Sequence, residues 1–566
     1  MRRPPASLSC WLPPLAAAVV LFAALPCAGQ DASSDSGYSV RGTVVNAISG
    51  QAVGRALVAL DRDEAVLTDS NGAFSFDNVA AGSYSVSVEK PGYQGFGGMF
   101  AGVMLRASSG VFRMVRTPPR QIQVGPNMPA LTFRIQPLGV ITGHITLSTS
   151  DPADGIRVQA YTRELQNGRA RWIVAGMGRT RSDGSFRIAN LEPGSYVLAT
   201  MPSLDRPGGP ANDRAPVWGY PSMYYPGVTD VTAAGMITLA AGQQAEADLS
   251  LARQQFFAIT ALVHSPEDTP ANFQILDSSG RPAGISAQWN RREGAVHATV
   301  PNGNWTLQAH SYGKTMQWGS TSFQVNGAPV SLAISIVPVP HIPVTIRRDF
   351  TNSTDTPQQA SSGPGMNLQL IAADETSLAF MSGGMTEVNG SGGQQFEATV
   401  TQPGRYWVEV QAYPPAYVGS ITSGGVDLGS APITILPGST PPPIEVTLRN
   451  DPGTITGEIV SGSVPTTSNG PVPTAGERPQ VWIYAIPLFS TAARLPEGSM
   501  EPNGQFSIPN LSPGSYRVVA CDTPQEIDFH SAEGLAAWSG KGETVTVDAG
   551  GTASAELEVL HSGEAP

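Results

Sequence analysis

Histidine and cysteine are the residue types best suited to metal and nucleophile chemistry, and this chain has seven of the first and three of the second. His264-Ser265-Pro266-Glu267 has the His-x-x-Glu spacing that can bring an imidazole and a carboxylate to one zinc ion. Pro266 at its centre disfavours regular backbone geometry there, and no stretch of the chain supplies an α/β domain of the size a zinc peptidase needs. No Gly-x-Ser-x-Gly elbow is present, and Gly534 to Gly542 misses the spacing of a phosphate loop. Cys521 has no placed histidine partner and reads as a strand residue. The expectation is a protein with no catalytic residues, no metal and no cofactor. Asp61, Asp63, Glu64, Asp69 and Asn71 crowd two neighbouring turns, and oxygen-rich loops of this kind can hold calcium. A solvated edge beside an Asn-Gly turn accounts for the same residues more simply, and calcium is left open.

Aromatic rings remain as the candidate ligand contacts. Trp218, Tyr220, Tyr224 and Tyr225 fall within eight residues of a Pro/Gly-rich loop. Tyr413 and Tyr417 flank Pro414-Pro415, and Trp289, Trp305 and Trp318 share one region. Flat rings beside turns suit sugar faces or peptide ligands. Pro216, Pro221 and Pro226 restrict the first loop before any ligand arrives, which lowers the entropy cost of binding. Trp218, Tyr220, Tyr224 and Tyr225 are therefore the ligand-binding candidates, with carbohydrate or an envelope protein as partner. The competing account has the same rings plugging domain ends or interdomain joints.

The elements that must position these rings are legible as repeats. Thr68 to Tyr84, Ser182 to Tyr196 and Pro502 to Tyr516 share a frame whose fifteen positions align without a gap. In each, Asn71-Gly72, Asp183-Gly184 or Asn503-Gly504 forms a tight turn that opens a strand. Phe74 and Phe76, Phe186 and Ile188, or Phe506 and Ile508 then alternate with polar residues, the period of two of a half-buried strand. A short link leads to Gly-Ser-Tyr and the next strand. Pro301-Asn302-Gly303-Asn304-Trp305 and Gln402-Pro403-Gly404-Arg405-Tyr406 are weaker echoes. The marked glycines 82, 194, 303, 404 and 514 stand 112, 109, 101 and 110 residues apart, one domain per interval. An earlier strand is visible in three units, at Val40 to Val44, Ile141 to Ile145 and Ile455 to Ile459.

The expected fold class is all-β, as tandem immunoglobulin-like or transthyretin-like sandwiches, with at most short helices such as Ala532 to Trp538. Residues 38–118, 138–253, 254–340, 341–451 and 452–560 are the expected domains, the third and fourth divergent; Ser, Thr, Gly and Pro make 351–366 a loop or linker. Residues 1–30 read as a signal peptide, with Arg2 and Arg3, an apolar stretch from Leu15 to Leu25, and small residues around Cys27, Ala28 and Gly29. Cys27 leaves lipid anchoring open, and the apolar stretch is too short for a membrane span. Cleavage would remove Cys10 and Cys27, leaving no intrachain disulfide. The whole chain carries a net charge of −12, and lysine occurs only at 90, 314 and 541. That balance repels phosphate backbones and argues against nucleic acid.

The pattern of Gly-x-Val followed by Asp/Asn-Gly-x-Phe-x-Ile/Phe-x-Asn-Leu/Val-x-x-Gly-Ser-Tyr resembles the carboxypeptidase regulatory-like domain, a transthyretin-like seven-stranded sandwich. The resemblance covers about 38–116, 138–253 and 452–560. It implies an extracytoplasmic setting and says little about role, because such domains occur beside peptidases, in receptor extensions, in surface proteins and among carbohydrate-binding-like sandwiches. Collagen-adhesin sandwiches with a Lys-Asn isopeptide bond are similar too, but none of the three complete units has the lysine required on an early strand. The functional expectation is an exported, non-catalytic binding or scaffolding protein of a bacterial envelope. An accessory subunit of a secreted enzyme or transport complex is the alternative, and a secreted hydrolase is a more distant one.

Overall fold

The computed structural model describes residues 37–61, 64–96, 120–166, 168–205, 216–265, 271–312, 316–351, 365–374, 383–390, 393–400, 402–460, 481–501 and 503–561. The expected signal peptide, Asp63 and Glu267 lie outside these residues. Among the described residues the architecture is a row of β-sandwiches, each with its own hydrophobic core. The cores run from Val40 to Ile135, Ile141 to Leu251, Phe257 to Ile336, Val339 to Leu448, and Ile455 to Val559. The closing strands of the first core, Arg120–Val124 and Leu131–Pro137, lie beyond residue 118, the expected end of the first domain.

One pairing recurs in all five. The opening strand of each sandwich lies antiparallel to the strand before the Gly-Ser-Tyr position and parallel to the closing strand. The parallel partners are Gly42 with Leu131, Val140 with Gln244, Ile259 with Val330, Val344 with Ile444, and Thr454 with Thr552. A parallel pair needs a crossover between its strands. The intervening strands supply it by forming the opposite sheet, for example Arg169–Arg179, Arg157–Gln166, Gly194–Thr200 and Met236–Leu239 in the second sandwich. The third sandwich keeps this topology, and the fourth keeps the pairing of its opening strand while Gly383–Gly390, paired with both Met366–Ala372 and Gly393–Thr399, joins its strands into one nine-stranded sheet, although both sequences retain only an echo of the frame.

The frame residues turn out to be structural. Phe74 lies opposite Gly42, Phe186 opposite Gly143, and Phe506 opposite Gly457. A β-carbon on Gly143 would sit 2.1 Å from the Ala247 carbonyl oxygen and 2.9 Å from the Phe186 ring, so only glycine lets the ring lie over the opening strand. Asn78, Asn190 and Asn510 hold φ of 63°, 60° and 61°, each beside an interruption in strand register. Asparagine tolerates this left-handed bend better than most residues. The turn before the strand is tied by its own acid or amide: Asp183 accepts the Ser185 amide at 2.9 Å, and Asn503 accepts the Gln505 amide at 3.0 Å.

The ring that ends the frame closes a corner. The Tyr196 hydroxyl donates to the Glu192 carbonyl at 2.5 Å, Tyr406 to Gln402 at 2.6 Å and Tyr516 to Ser512 at 2.7 Å, while the Trp305 indole donates to Pro301 at 3.0 Å. All four bonds span four residues. A buried ring with a polar end thus fixes the link between two strands, much as a tyrosine corner does in immunoglobulin sandwiches. Burial pushes the Tyr196-equivalent phenols of Tyr406 and Tyr516 well above their ordinary value.

Neighbouring sandwiches are not simply strung together. The strand Val217–Tyr220, which follows the second sandwich's Gly-Ser-Tyr strand, joins the third sandwich's sheet between Ser203–Leu204 and the opening strand Gln254–His264. Met316 and Trp318 of the third sandwich pack on the fourth core, and Ala492 of the fifth belongs to that same core. At these junctions strands and single side chains join neighbouring sandwiches. The short helix expected near Ala532 forms over Ala532–Ala537, capped by Ser531.

Candidate binding surface between the second and third sandwiches

The stretch expected as a Pro/Gly-rich loop is a strand across Val217–Tyr220, bracketed by Pro216 and Pro221. Strand alternation separates its rings from its glycine. Gly219 is buried, and a β-carbon there would meet the Ser203 carbonyl oxygen at 2.4 Å, while Trp218 on the other face is 37% exposed. The Arg253 guanidinium carbon lies 4.9 Å from the centre of the Trp218 ring, close enough for a cation–π contact. Arg253 is held there by Asp205, whose carboxylate accepts at 2.6 Å. Tyr220 is half-buried, and burial followed by the charge of Asp205 raises its phenol. Beside it opens a cleft of about 250 Å³ lined by Leu147, Ala153, Asp154, Ile156, Ser203, Leu204, Asp205 and Tyr220. Its walls come from the second sandwich and from the two-strand ribbon that continues into the third. Carboxylates, a hydroxyl, a phenol and an aliphatic floor are groups that can hold a polyhydroxylated ligand.

Tyr224 and Tyr225, adjacent in sequence, go elsewhere. Tyr224 is 6% exposed and packs with Tyr161, Val197 and Ala199; Tyr225 packs against the second core. Over the Tyr224 cluster lies Arg281 of the third sandwich, itself 3% exposed. Its guanidinium carbon is 5.3 Å from the Tyr161 ring, 5.8 Å from Tyr224 and 5.9 Å from Trp172. The Arg281 Nε and Nη1 find no hydrogen-bond acceptor among the described residues, so the three ring faces supply much of its electrostatic compensation. Burial, then the nearby Asp277, raises the Tyr224 phenol. The four candidate rings therefore divide: Tyr220 lines a surface cleft, Trp218 lies partly exposed against Arg253, Tyr224 anchors a joint, and Tyr225 packs into a core.

The other candidates are placed as follows. Asp61 accepts the Ser85 amide at 2.7 Å, and one oxygen of Asp69 accepts the amides of Asn71 and Ala73, both at 2.8 Å. These carboxylates are engaged in holding turns. Cys521 is fully buried in a strand, where burial pushes its thiol up to about 12. Trp305 is the corner ring of the third sandwich, Trp289 stacks on Phe273 at 5.6 Å, and Tyr417 donates to Asp451 at 3.0 Å. Tyr413 is half exposed. One group escaped the reading of the sequence: His144, Glu246 and Asp248 bring donor atoms within 4.8 Å of one another across paired strands. All three are exposed, and Asp248 already accepts the His144 amide at 2.7 Å. Only strand pairing brings position 144 to positions 246 and 248, so no spacing along the chain could have shown it.

Among the described residues no helix is long and apolar enough to cross a membrane. No curated protein matches the chain. Among solved structures, the Bacillus anthracis TIE protein is similar at 9% identity over 92% of this chain and 68% of that one, with a TM-score of 0.14. A Streptococcal ancillary pilin is similar at 12% identity over 55% and 99%, TM-score 0.17. GBS52, the minor pilin of Streptococcus agalactiae, is similar at 12% identity over 36% and 99%, TM-score 0.16. Likenesses this slight establish neither fold nor role, and the fold rests on the strand pairing described above. The model of the carboxypeptidase regulatory-like domain matches residues 39–103, the segment whose Gly42–Phe74 pair, Asn78 bend and Gly-Ser-Tyr strand open the repeat. The chain thus begins its row of sandwiches with a carboxypeptidase regulatory-like domain.

Proposed function

We propose that this is an exported, non-catalytic scaffold and binding protein of a cell envelope, with five sandwich domains divided near residues 137, 253, 340 and 452. We further propose that it binds carbohydrate in the cleft beside Tyr220. The observation that carries the binding reading is the cleft where Tyr220 stands with Asp154, Ser203 and Asp205, on the same strand as the exposed ring of Trp218. A sugar ring offers C–H groups to an aromatic face and hydroxyls to carboxylates, and this surface has both. The scaffold reading is supported by the frame, whose glycines, asparagines and rings all serve the fold and leave none at a reactive centre.

A glycan array probed with the full chain, alongside Trp218→Ala and Tyr220→Ala, tests the reading. Retention on one class of glycan, lost in both variants with the melting temperature of Trp218→Ala nearly unchanged, is the expected result. No retention on any glycan up to millimolar concentration would remove carbohydrate as the ligand. Co-purification of the unmodified chain with an envelope enzyme would instead favour an accessory subunit.

A further inference from the structure

Among the described residues, the second sandwich has an arm longer than the corresponding hairpin of the first. Its hairpin pairs Arg157–Gln166 with Arg169–Arg179, ten residues against eleven. The inner strand meets the Gly-Ser-Tyr strand only from Val158 to Thr162, so Arg163 to Gln166 and their partners Arg169 to Trp172 continue past the sheet. At about 3.3 Å per residue the extension reaches roughly 13 Å. A two-stranded ribbon standing free in water is marginally stable at best. This one is not free.

Its tip sits at the junction of the fourth and fifth sandwiches. Gly168, buried and with φ of +71°, lies so close to Phe529 of the fifth sandwich that a β-carbon would fall 2.3 Å from the ring. The Arg169 guanidinium carbon lies 3.6 Å from the centre of the Trp407 ring in the fourth. Arg171 donates from Nη2 to the Ala372 carbonyl, also in the fourth. Burial lowers Arg169 to about 10, against the attraction of Asp528 and Glu409. The seat is itself a joint, since Arg494 of the fifth sandwich donates to Glu409, and the Val410 amide donates to the Ala492 carbonyl at 2.8 Å. At the hairpin's base, Tyr161 and Trp172 hold Arg281 of the third sandwich.

We infer that this hairpin is an intramolecular clasp: it seats its Gly168-Arg169-Arg171 tip between the fourth and fifth sandwiches and closes the chain on itself. Three sandwiches are then fixed to the second, and the protein is one folded-back body instead of a string of independent beads. Glycine at 168 is required because any side chain would strike Phe529. Arginine at 169 is required because the seat offers one ring face and two carboxylates to a planar cation.

Small-angle X-ray scattering of the full chain, with and without Arg169→Glu, tests the clasp. The wild type should give a compact profile, and Arg169→Glu, which places a carboxylate beside Asp528 and Glu409, should shift the maximum dimension to larger values with unchanged far-ultraviolet circular dichroism. Trp407→Ala attacks the same contact from the opposite side without altering the hairpin. It should produce a shift of the same kind, and the two changes together should add little to either alone. An extended profile for the wild type, or a compact one for both variants, would overturn the inference.

Discussion

In the first sandwich the hairpin after the opening strand pairs Leu57–Leu60 with Glu64–Leu67, four residues a side. In the second the same step of the topology pairs ten residues with eleven and leaves its own sheet to reach two others. Both sandwiches place phenylalanine over glycine, bend at asparagine and close on Gly-Ser-Tyr. The shared positions build a core, and what a sandwich does for the rest of the chain is decided by the part that lies outside it. Lengthening a surface hairpin costs little in chain entropy and disturbs no core contact, so the repeat can vary there and nowhere else so freely.

The largest effect should come from the shared part. Phe186→Ala and Phe506→Ala each remove a ring from over a glycine and open a cavity that glycine cannot fill. Each should cost about 3 to 5 kcal/mol, a large part of the 5 to 15 that holds a typical domain. Denaturant titration followed by hydrogen exchange should show the loss in the variant's own sandwich. Unequal costs at the two positions would mean that the frame does not act alike in each unit.

The frame was legible because its requirements are local: a turn pair, an alternation of two and a bend each leave their residue types side by side in the sequence. The third and fourth sandwiches were legible only as spacings, since Trp305 and Tyr406 preserve the corner bond while the residues before them have changed. The binding surface was half legible. Four rings within eight residues drew attention to the right stretch, but adjacency could not show that Trp218 and Tyr220 lie on a shared strand while Tyr224 turns under Arg281, 57 residues away in sequence. The long hairpin was not legible, because Arg157 to Arg179 is polar on the faces that dock elsewhere, and its partners Trp407 and Phe529 lie in other repeats.

That division of the rings gives the second prediction. Tyr224→Ala should cost about 3 kcal/mol, because it removes a buried ring and uncovers one side of a buried guanidinium. Trp218→Ala should cost less than about 1 kcal/mol, since its ring is partly in water. Thermal melts of the two single variants decide the matter. Equal losses would make Trp218 part of the joint and remove it from the surface.

Acid should act on the clasp. His530 lies against Phe529 at 4.0 Å, and burial, then the charge of Arg169, lowers it from 6.5 to about 4, with Asp528 opposing. The unfolded chain takes up this proton near pH 6.5 and the folded chain only near 4, so the unfolded state binds more protons between. The contribution is fully present above about pH 6.5 and is lost as the pH falls towards 4, amounting to at most about 3 kcal/mol. Hydrogen exchange at the fifth sandwich should therefore quicken from pH 6.5 to 4, after correction for intrinsic rates, and His530→Gln should flatten that limb. An unchanged limb in His530→Gln would place the acid sensitivity on other groups.

The smallest predicted effect separates the first sandwich from the others most cleanly. Tyr196 and Tyr516 are 3% and 2% exposed, and each donates to a carbonyl four residues back. Tyr84 holds the same place in the frame, but it is only partly buried, and no such bond to Ala80 forms among the described residues. In the second and fifth frames the link holds Pro193 and Pro513 just before the glycine; in the first it holds Ala81. Proline narrows the conformations open to the link, so the carbonyl is already placed when the phenol arrives. Phenylalanine at 196 or 516 keeps the ring and strands a buried acceptor, which should cost about 1 to 2 kcal/mol. Tyr84→Phe should change stability by less than about 0.5 kcal/mol. Amide exchange on the Gly-Ser-Tyr strand of each sandwich reads the three variants separately within the full chain. A loss at position 84 equal to those at 196 and 516 would show that the Tyr84 hydroxyl also holds its corner, and negligible losses at all three would show that the ring's packing, and not its hydroxyl, holds every corner.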